Sequence, residues 1–211
     1  MEHVALVEAV RARLALPLPG PAAHVTMAPH RVRYPGALLP EGKDCRQAAV
    51  LLLLYPHAGA TALALTVRQP SLRDHSGQVS LPGGTIDAGE TAEEAALREG
   101  WEEVGVPADA PDVLGRLTPI YIPPSNFCVQ PVVAAVSEAF AFTAHEAEVA
   151  AMLDVPLWWL VDPGRRASES RQVLGGPTDV PYFEVEGHHV WGATAMILAE
   201  FGMALSGVLT T

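Results

Sequence analysis

Residues 84–106 have the sequence GTIDAGETAEEAALREGWEEVGV, and the predicted fold and the predicted site both follow from this stretch. Thr91, followed three residues later by Glu94, is typical of a capping box, which predicts that a helix begins there. Gly105 suits the left-handed conformation that commonly ends a helix. The pattern therefore predicts one helix between Thr91 and Gly105.

The predicted helix has two different faces. At about 100° per residue, Leu97, Trp101 and Val104 form one stripe, which we expect to pack against the rest of the protein. The opposite side carries a carboxylate cluster, formed by Glu99 and Glu103 with Glu102 beside them. Glutamates three or four residues apart repel each other, and no lysine is interleaved with them. A hard divalent cation would convert that repulsion into coordination.

Small residues surround the acidic side of the helix, namely Ala92, Ala95, Ala96 and Gly100. They leave room for the preceding glycine loop to approach. Gly100 costs about 1 kcal/mol of helix propensity relative to alanine, which indicates that close contact matters more there than helix stability.

This stretch resembles the Nudix box, which is matched at every charged and glycine position: Gly84, Glu90, Arg98, Glu99, Glu102, Glu103 and Gly105. Gly100 is the one departure, since the family usually has an aliphatic residue there. The resemblance implies an α/β fold, a Nudix-type α/β/α sandwich with a mixed β-sheet between helices. We expect residues 1–211 to form a single domain, with an N-terminal helix at about 1–20 and a C-terminal helix at about 191–206.

The resemblance also implies a diphosphate hydrolase that uses Mg²⁺ or Mn²⁺. Glu99 and Glu103 should hold the metal, and Glu102 should complete or support the site. Glu90 would bind metal through water, and Arg98 would orient the carboxylates. Glu148 is a further candidate ligand from a late loop, although it could instead complement the dipole of a short helix predicted to follow it.

The overall charge restricts the partners. The formal net charge is −11, with only 13 lysines and arginines, which argues against a nucleic acid polymer as substrate. The apolar run at residues 48–54 is too short to span a bilayer and predicts a buried strand, so we expect no membrane partner.

Cys45 and Cys128 have neither metal-ligand spacing nor a disulfide-dense context. We therefore expect reduced thiols and a cytoplasmic location.

Further elements are predicted from local patterns. Residues 47–55 and 61–68 should form a hairpin across the five-residue turn PHAGA, and residues 112–122 and 127–136 should form two more strands. Residues 165–178 are polar and predict a mobile loop. A hairpin at 180–185 and 188–190 should precede the C-terminal helix.

A second motif lies between the predicted hairpin and the box. It resembles the additional signature of coenzyme A diphosphatases within the Nudix family, with Thr66, Arg68, Arg73, Gly77, Pro82, Gly83 and Gly84 in register. Gln69 and Leu81 depart from that signature. The resemblance implies that Arg68, Arg73, Gly77 and Gly84 bind the substrate. Arg68 and Arg73 could instead pair only with Asp74 or with box glutamates.

The function that this resemblance implies is hydrolysis of coenzyme A to 3′-phosphoadenosine 5′-phosphate and 4′-phosphopantetheine. A diphosphatase for ADP-ribose or another nucleotide sugar remains an alternative, because the box defines the chemistry and not the leaving group. A non-catalytic nucleotide sensor of the same fold is a third possibility.

Overall fold

The main sheet is built around the apolar run at residues 48–54. A computed structural model describes residues 2–30, 35–71, 77–107, 109–173 and 175–209, and it places this run in β1 (Arg46–His57). β1 pairs antiparallel with β2 (Ala60–Arg68), which confirms the predicted hairpin. The turn has two residues and not five, because Ala58 and Gly59 both take the positive φ that a tight hairpin turn requires.

The other edge of β1 pairs in parallel with β7 (Phe127–Ala135), so the sheet is mixed. The remaining strands of the main sheet are β3 (Val79–Ser80), β4 (Gly83–Thr85), β5 (Asp112–Arg116), β6 (Ile120–Ile122) and β8 (Val149–Pro156). The single strand predicted at 112–122 is therefore two strands. In the described residues the order is β3-β2-β1-β7-β5, with β4 on β1, β6 on β7 and β8 on β2.

Alternate residues of β1 face two different cores. Leu51 and Leu53 pack toward α3 (Ala92–Val104), while Leu52 and Leu54 face the helices on the other side of the sheet. Those helices are α1 (His3–Leu14), α2 (Pro21–His24) and α4 (Gly192–Leu209). The prediction of an α/β sandwich with a mixed sheet between helices is confirmed. The N-terminal helix ends at Leu14, earlier than expected.

By length and composition α4 is apolar enough to cross a bilayer, with a mean hydropathy of 1.5 over 18 residues. More than half of it is buried inside the fold, and it carries the fully buried Glu200. Glu200 accepts hydrogen bonds from the Gly20 amide at 3.1 Å and from Thr118 Oγ1 at 2.6 Å, and it contacts His24 Nε2 at 2.9 Å. These contacts tie α4 to the rest of the molecule as a core helix.

Two predictions in the C-terminal half are wrong because strands form where a helix and a loop were expected. The residues after Glu148 form β8 on β2, with Leu65 opposite Leu153, and not a short helix. The predicted mobile loop at 165–178 is β9 (Arg166–Val173) and the start of β10 (Gly176–Val185). With β11 (His188–Trp191) they form a second, antiparallel sheet, and the predicted hairpin between β10 and β11 is confirmed.

The two cysteines are joined in a disulfide, with 5.7 Å between their Cα atoms, so the prediction of reduced thiols is wrong. They lie 83 residues apart in sequence, but the parallel pairing places Gln47 opposite Cys128 and so brings Cys45 within reach. The cytoplasmic location stays a prediction, without support from the cysteines.

Candidate active site

The helix α3 begins and ends where its sequence predicts. Thr91 Oγ1 accepts a hydrogen bond from the Glu94 amide at 3.2 Å, and a Glu94 carboxylate oxygen accepts one from the Thr91 amide at 2.8 Å. Gly105 takes φ = 71° at the other end. The capping box and the glycine C-cap are both confirmed.

The prediction of which face packs is partly wrong. Val104 is buried, but the Trp101 side chain is 57% exposed, and the buried side of α3 includes Ala95, Gly100 and Glu103. The reason is close approach, since a Cβ at Gly100 would lie 2.6 Å from Leu51 Cδ2 in β1. The helix therefore turns its small residues toward the sheet, and Glu103 is carried inward with them.

The glycine loop before α3 approaches the carboxylates as expected. A Cβ at Gly84 would lie 2.6 Å from the carboxyl carbon of Glu99, so any larger residue there would displace the Glu99 carboxylate. Gly84 belongs to β4, which is held on β1 by its pairing with Ala49. The close approach of loop and helix brings backbone and carboxylate together at one point.

Arg98 binds the acidic side chains that lie on the outer side of the contact between Gly84 and Glu99. Its guanidinium binds Glu90 through Nε at 2.8 Å and through Nη2 at 3.1 Å. Nη1 donates to Glu99 at 2.8 Å and to Glu102 at 3.2 Å, and Nη2 also donates to the Thr85 carbonyl at 3.0 Å. The hydrogen bonds from Arg98 lower the pKa of the Glu90 carboxyl. Arg98 is thus placed to orient three carboxylates.

Glu103 is the most deeply buried acid of the site, with 5% of its surface exposed. Burial raises the pKa of its carboxyl to about 7, and the neighbouring charge of Glu99 adds to the effect. Arg68 acts in the opposite direction. Burial likewise raises the pKa of Glu99, while its hydrogen bond from Arg98 opposes the rise. The two carboxylates therefore share a partly desolvated region and repel each other there.

Glu148, the candidate ligand that the sequence analysis placed on a late loop, lies near the same region. The amide of His145 donates to the Glu103 carbonyl at 2.8 Å, and the amide of Gln69 donates to the Glu148 carbonyl at 2.8 Å. Residues 143–149 are therefore held between the end of α3 and the end of β2. The charge of Glu148 raises the pKa of both Glu99 and Glu103. The alternative of a helix dipole does not apply, because β8 follows.

Arg68 ends β2 on the other side of Glu103. Its Nε is buried and has no hydrogen-bond partner among the described residues. Gly77, at φ = 66°, turns the chain so that its amide donates to the Arg68 carbonyl at 3.2 Å. Arg73 and Asp74 lie outside the described residues, so the predicted roles of Arg73 are neither supported nor opposed.

The residues present fit a hard cation, since the donors are all carboxylate oxygens. The charge of Glu148 raises the pKa of Glu99 and of Glu103, and a cation between the carboxylates would remove that repulsion. No three Asp, Glu, His or Cys side chains in the described ranges yet converge as a ready metal cluster. Arg98 holds Glu99 and Glu102 toward itself, so a metal would have to compete for them.

Comparison with known proteins identifies the family of this arrangement. The NUDIX domain model matches residues 46–165, from β1 to the turn before β9. An uncharacterized Nudix hydrolase NudL from Klebsiella pneumoniae is 37% identical over 163 residues, which cover 76% of this chain and 83% of that protein. The corresponding protein of Citrobacter koseri is 36% identical over 161 residues, with the same coverage.

Two solved structures support the fold. A MutT protein from Methanosarcina mazei superposes with a TM-score of 0.50 at 18% identity, over 78% of this chain and 97% of that one. A MutT/nudix family protein from Enterococcus faecalis gives a TM-score of 0.51 at 18% identity, over 80% and 65% of the two chains. At such low identity the likeness concerns the fold alone.

Proposed function

This chain belongs to the Nudix domain family, and from that premise we propose that it is a Mg²⁺- or Mn²⁺-dependent hydrolase of the coenzyme A diphosphate. The products would be 3′-phosphoadenosine 5′-phosphate and 4′-phosphopantetheine. We further propose that residues 1–211 act as one domain, since α1 and α4 share a core with the main sheet.

Each acidic residue has a proposed role. Glu99 and Glu103 would hold the metal, Glu102 and Glu148 would complete or support the site, and Glu90 would act through water. When bound, the ion would neutralise the diphosphate and lower the pKa of an attacking water. Arg98 would position the carboxylates, because it already contacts Glu90, Glu99 and Glu102.

The observation that carries the proposal is the buried, unpartnered Nε of Arg68 in the neighbourhood of the Glu103 carboxylate. A buried guanidinium nitrogen without a hydrogen-bond partner is costly, and a phosphate oxygen is a ligand that would satisfy it. Arg68 lies close enough to Glu103 to lower the pKa of that carboxyl. A carboxylate for a metal and an arginine for a phosphate therefore lie side by side, as a diphosphate substrate requires.

The choice of coenzyme A is supported by the motif before the box. Arg68, Arg73, Gly77 and Gly84 are the proposed substrate-binding residues of that motif. A diphosphatase for ADP-ribose or a nucleotide sugar is the rival enzyme. A sensor that binds without turnover is disfavoured, because every carboxylate of the box is retained.

One experiment separates these functions. The purified protein is incubated with Mg²⁺ and either coenzyme A, dephospho-coenzyme A or ADP-ribose, and the products are separated by chromatography. We expect 3′-phosphoadenosine 5′-phosphate from coenzyme A at the highest rate. Faster cleavage of ADP-ribose would favour the nucleotide-sugar diphosphatase. Tight binding of all three without products would favour the sensor.

A further inference from the structure

A cleft of about 740 Å³ lies at the C-terminal end of α3, and Glu102 is among the residues that line it. It is lined by Trp101, Glu102 and Gly105 of the helix end and by Thr143, His145 and Glu146 of the facing segment. Two backbone hydrogen bonds attach that segment to the helix, from the Thr143 amide to the Val104 carbonyl at 3.0 Å and from the His145 amide to the Glu103 carbonyl at 2.8 Å. The backbone of the cleft is thus anchored to Glu103 itself.

Trp101 presents a large planar surface to this cleft. Its side chain is 57% exposed although helix periodicity predicts that it packs. Across the part of the chain that the structure describes, no aromatic ring or cation is stacked on it. Exposed tryptophan faces that border a polar site are well suited to binding planar rings, because the ring buries much area without losing much side-chain entropy.

The charges of the cleft indicate which part of a substrate it can take. Glu102 and Glu146 both line it, and no lysine or arginine does. Two carboxylates repel a phosphate, but they accept hydrogen bonds from N–H groups. A planar, uncharged group that carries N–H donors therefore matches the cleft better than a phosphate does. A purine with an exocyclic amine has these properties.

We infer that this cleft is the nucleobase subsite of the site, with the purine stacked on Trp101 and its amine donating to Glu102 or Glu146. The inference rests on the proposed function, because a nucleotide diphosphate bound near Glu103 has its base at one end. Glu102 connects the cleft with the carboxylates around Arg98, since it lines the cleft and also contacts Arg98 at 3.2 Å.

The first test observes the base directly. The protein contains four tryptophans, so a ¹H–¹⁵N spectrum has four indole signals, which are assigned with Trp→Phe variants. Adenosine, which carries no phosphate, is added without any metal. We expect the Trp101 signal to shift and the Trp158 signal to stay, although Trp158 is also 49% exposed. An unmoved Trp101 signal at the solubility limit of adenosine would overturn the inference.

The second test uses kinetics with coenzyme A. We expect Trp101→Ala to raise KM about ten- to a hundredfold with kcat changed less than about threefold, since stacking on a base is worth about that much. Trp101→Phe should restore most of the affinity, and Trp158→Ala should match the wild type. An unchanged KM in Trp101→Ala would overturn the inference while leaving the proposed function intact.

The experiments distinguish a failure of the proposed function from a failure of the nucleobase inference. If coenzyme A is not cleaved but adenosine still shifts the Trp101 signal, the substrate is another purine diphosphate and the subsite stands. If 4′-phosphopantetheine shifts the signal and adenosine does not, the cleft binds the pantetheine arm and the nucleobase inference is wrong.

Discussion

At the scale of single residues, Glu103 and Arg68 are both costly to bury, the first as an acid and the second as a hydrogen-bond donor. Glu103 is a buried acid whose pKa is raised to about 7 by burial and by Glu99. Arg68 has a buried Nε without a partner in the described chain. A metal would stabilise the charged form of the first, and a phosphate would satisfy the second. Under the proposed function, a phosphorylated, metal-bound substrate would meet both requirements together.

Replacing Glu103 tests the metal role. We expect Glu103→Gln to lower kcat/KM about a thousandfold at saturating Mg²⁺, because several kcal/mol of charge stabilisation depend on the ion that Glu103 helps to hold. The fold should survive, since glutamine keeps the shape without the buried charge. Steady-state kinetics and circular dichroism measure the two effects. Glu138→Gln, at an exposed position, is the control and should behave as wild type. Full activity in Glu103→Gln would contradict the assignment.

Replacing Arg68 tests the phosphate role. We expect Arg68→Ala to lower kcat/KM for coenzyme A about ten- to a hundredfold, because one charge-assisted hydrogen bond is worth about 1.5–3 kcal/mol. A smaller loss with dephospho-coenzyme A would assign Arg68 to the 3′-phosphate, and an equal loss would assign it to the diphosphate. Arg116→Ala is the matched control, because Arg116 pairs with Glu93 on the exposed side of α3. If Arg68→Ala behaves like Arg116→Ala with both substrates, Arg68 binds no phosphate.

At the scale of elements, α3 and α4 each approach a neighbour closely at one glycine. Gly100 lets α3 meet Leu51 of β1, and this contact turns Glu103 inward. Gly202 does the same for α4, where a Cβ would lie 2.8 Å from the Leu160 carbonyl oxygen. The 3₁₀ turn that contains Leu160 (Leu157–Val161) follows β8, so α4 is packed against the far end of a strand that begins beside Glu148.

Two glycines of the same helix test this packing. Gly202→Ala should lower the free energy of unfolding by about 1–3 kcal/mol, because the added methyl meets backbone that cannot move aside. No described residue lies within 4 Å of the new methyl in Gly207→Ala, and this variant should raise that free energy by about 0.5–1 kcal/mol through helix propensity. Urea unfolding measures both. Equal effects in the two variants would show that α4 does not approach Leu160 closely.

At the scale of the whole molecule, the disulfide joins the start of β1 to the start of β7 across a separation of 83 residues. These are the parallel strands at the centre of the main sheet, and β1 also holds the Gly84 loop through β4. A cross-link between such distant residues restricts the unfolded chain far more than the folded one. The disulfide therefore stabilises the sheet on which the site is built.

Reduction tests this stabilisation. We expect dithiothreitol to lower the free energy of unfolding by about 2–4 kcal/mol, the contribution that a disulfide typically makes. A variant with Cys45→Ser and Cys128→Ser should show the lower stability from the start and should not respond to the reductant. Urea unfolding with and without dithiothreitol measures the difference. A wild-type protein that is equally indifferent to dithiothreitol would mean that the cysteines are reduced, as the sequence predicted.

The sequence by itself determined the features that depend on neighbours along the chain. The capping box at Thr91, the C-cap at Gly105 and the buried strand at residues 48–54 follow from short-range hydrogen bonding and hydrophobic pattern, and all three are present. The motif also placed Glu99 and Glu103 near one another, because a helix brings residues four apart to one side. These features need no knowledge of the rest of the fold.

Tertiary structure alone decided the rest. Helix periodicity could not tell that Trp101 would face solvent and Glu103 the interior, because that choice depends on how closely Gly100 approaches Leu51. The alanine-rich start of β8 became a strand because β2 offered it an open edge. The cysteines paired because β1 and β7 are parallel neighbours. In each case the contact that decided the structure came from a segment distant in sequence. Such contacts cannot be inferred from the spacing of residues along the chain.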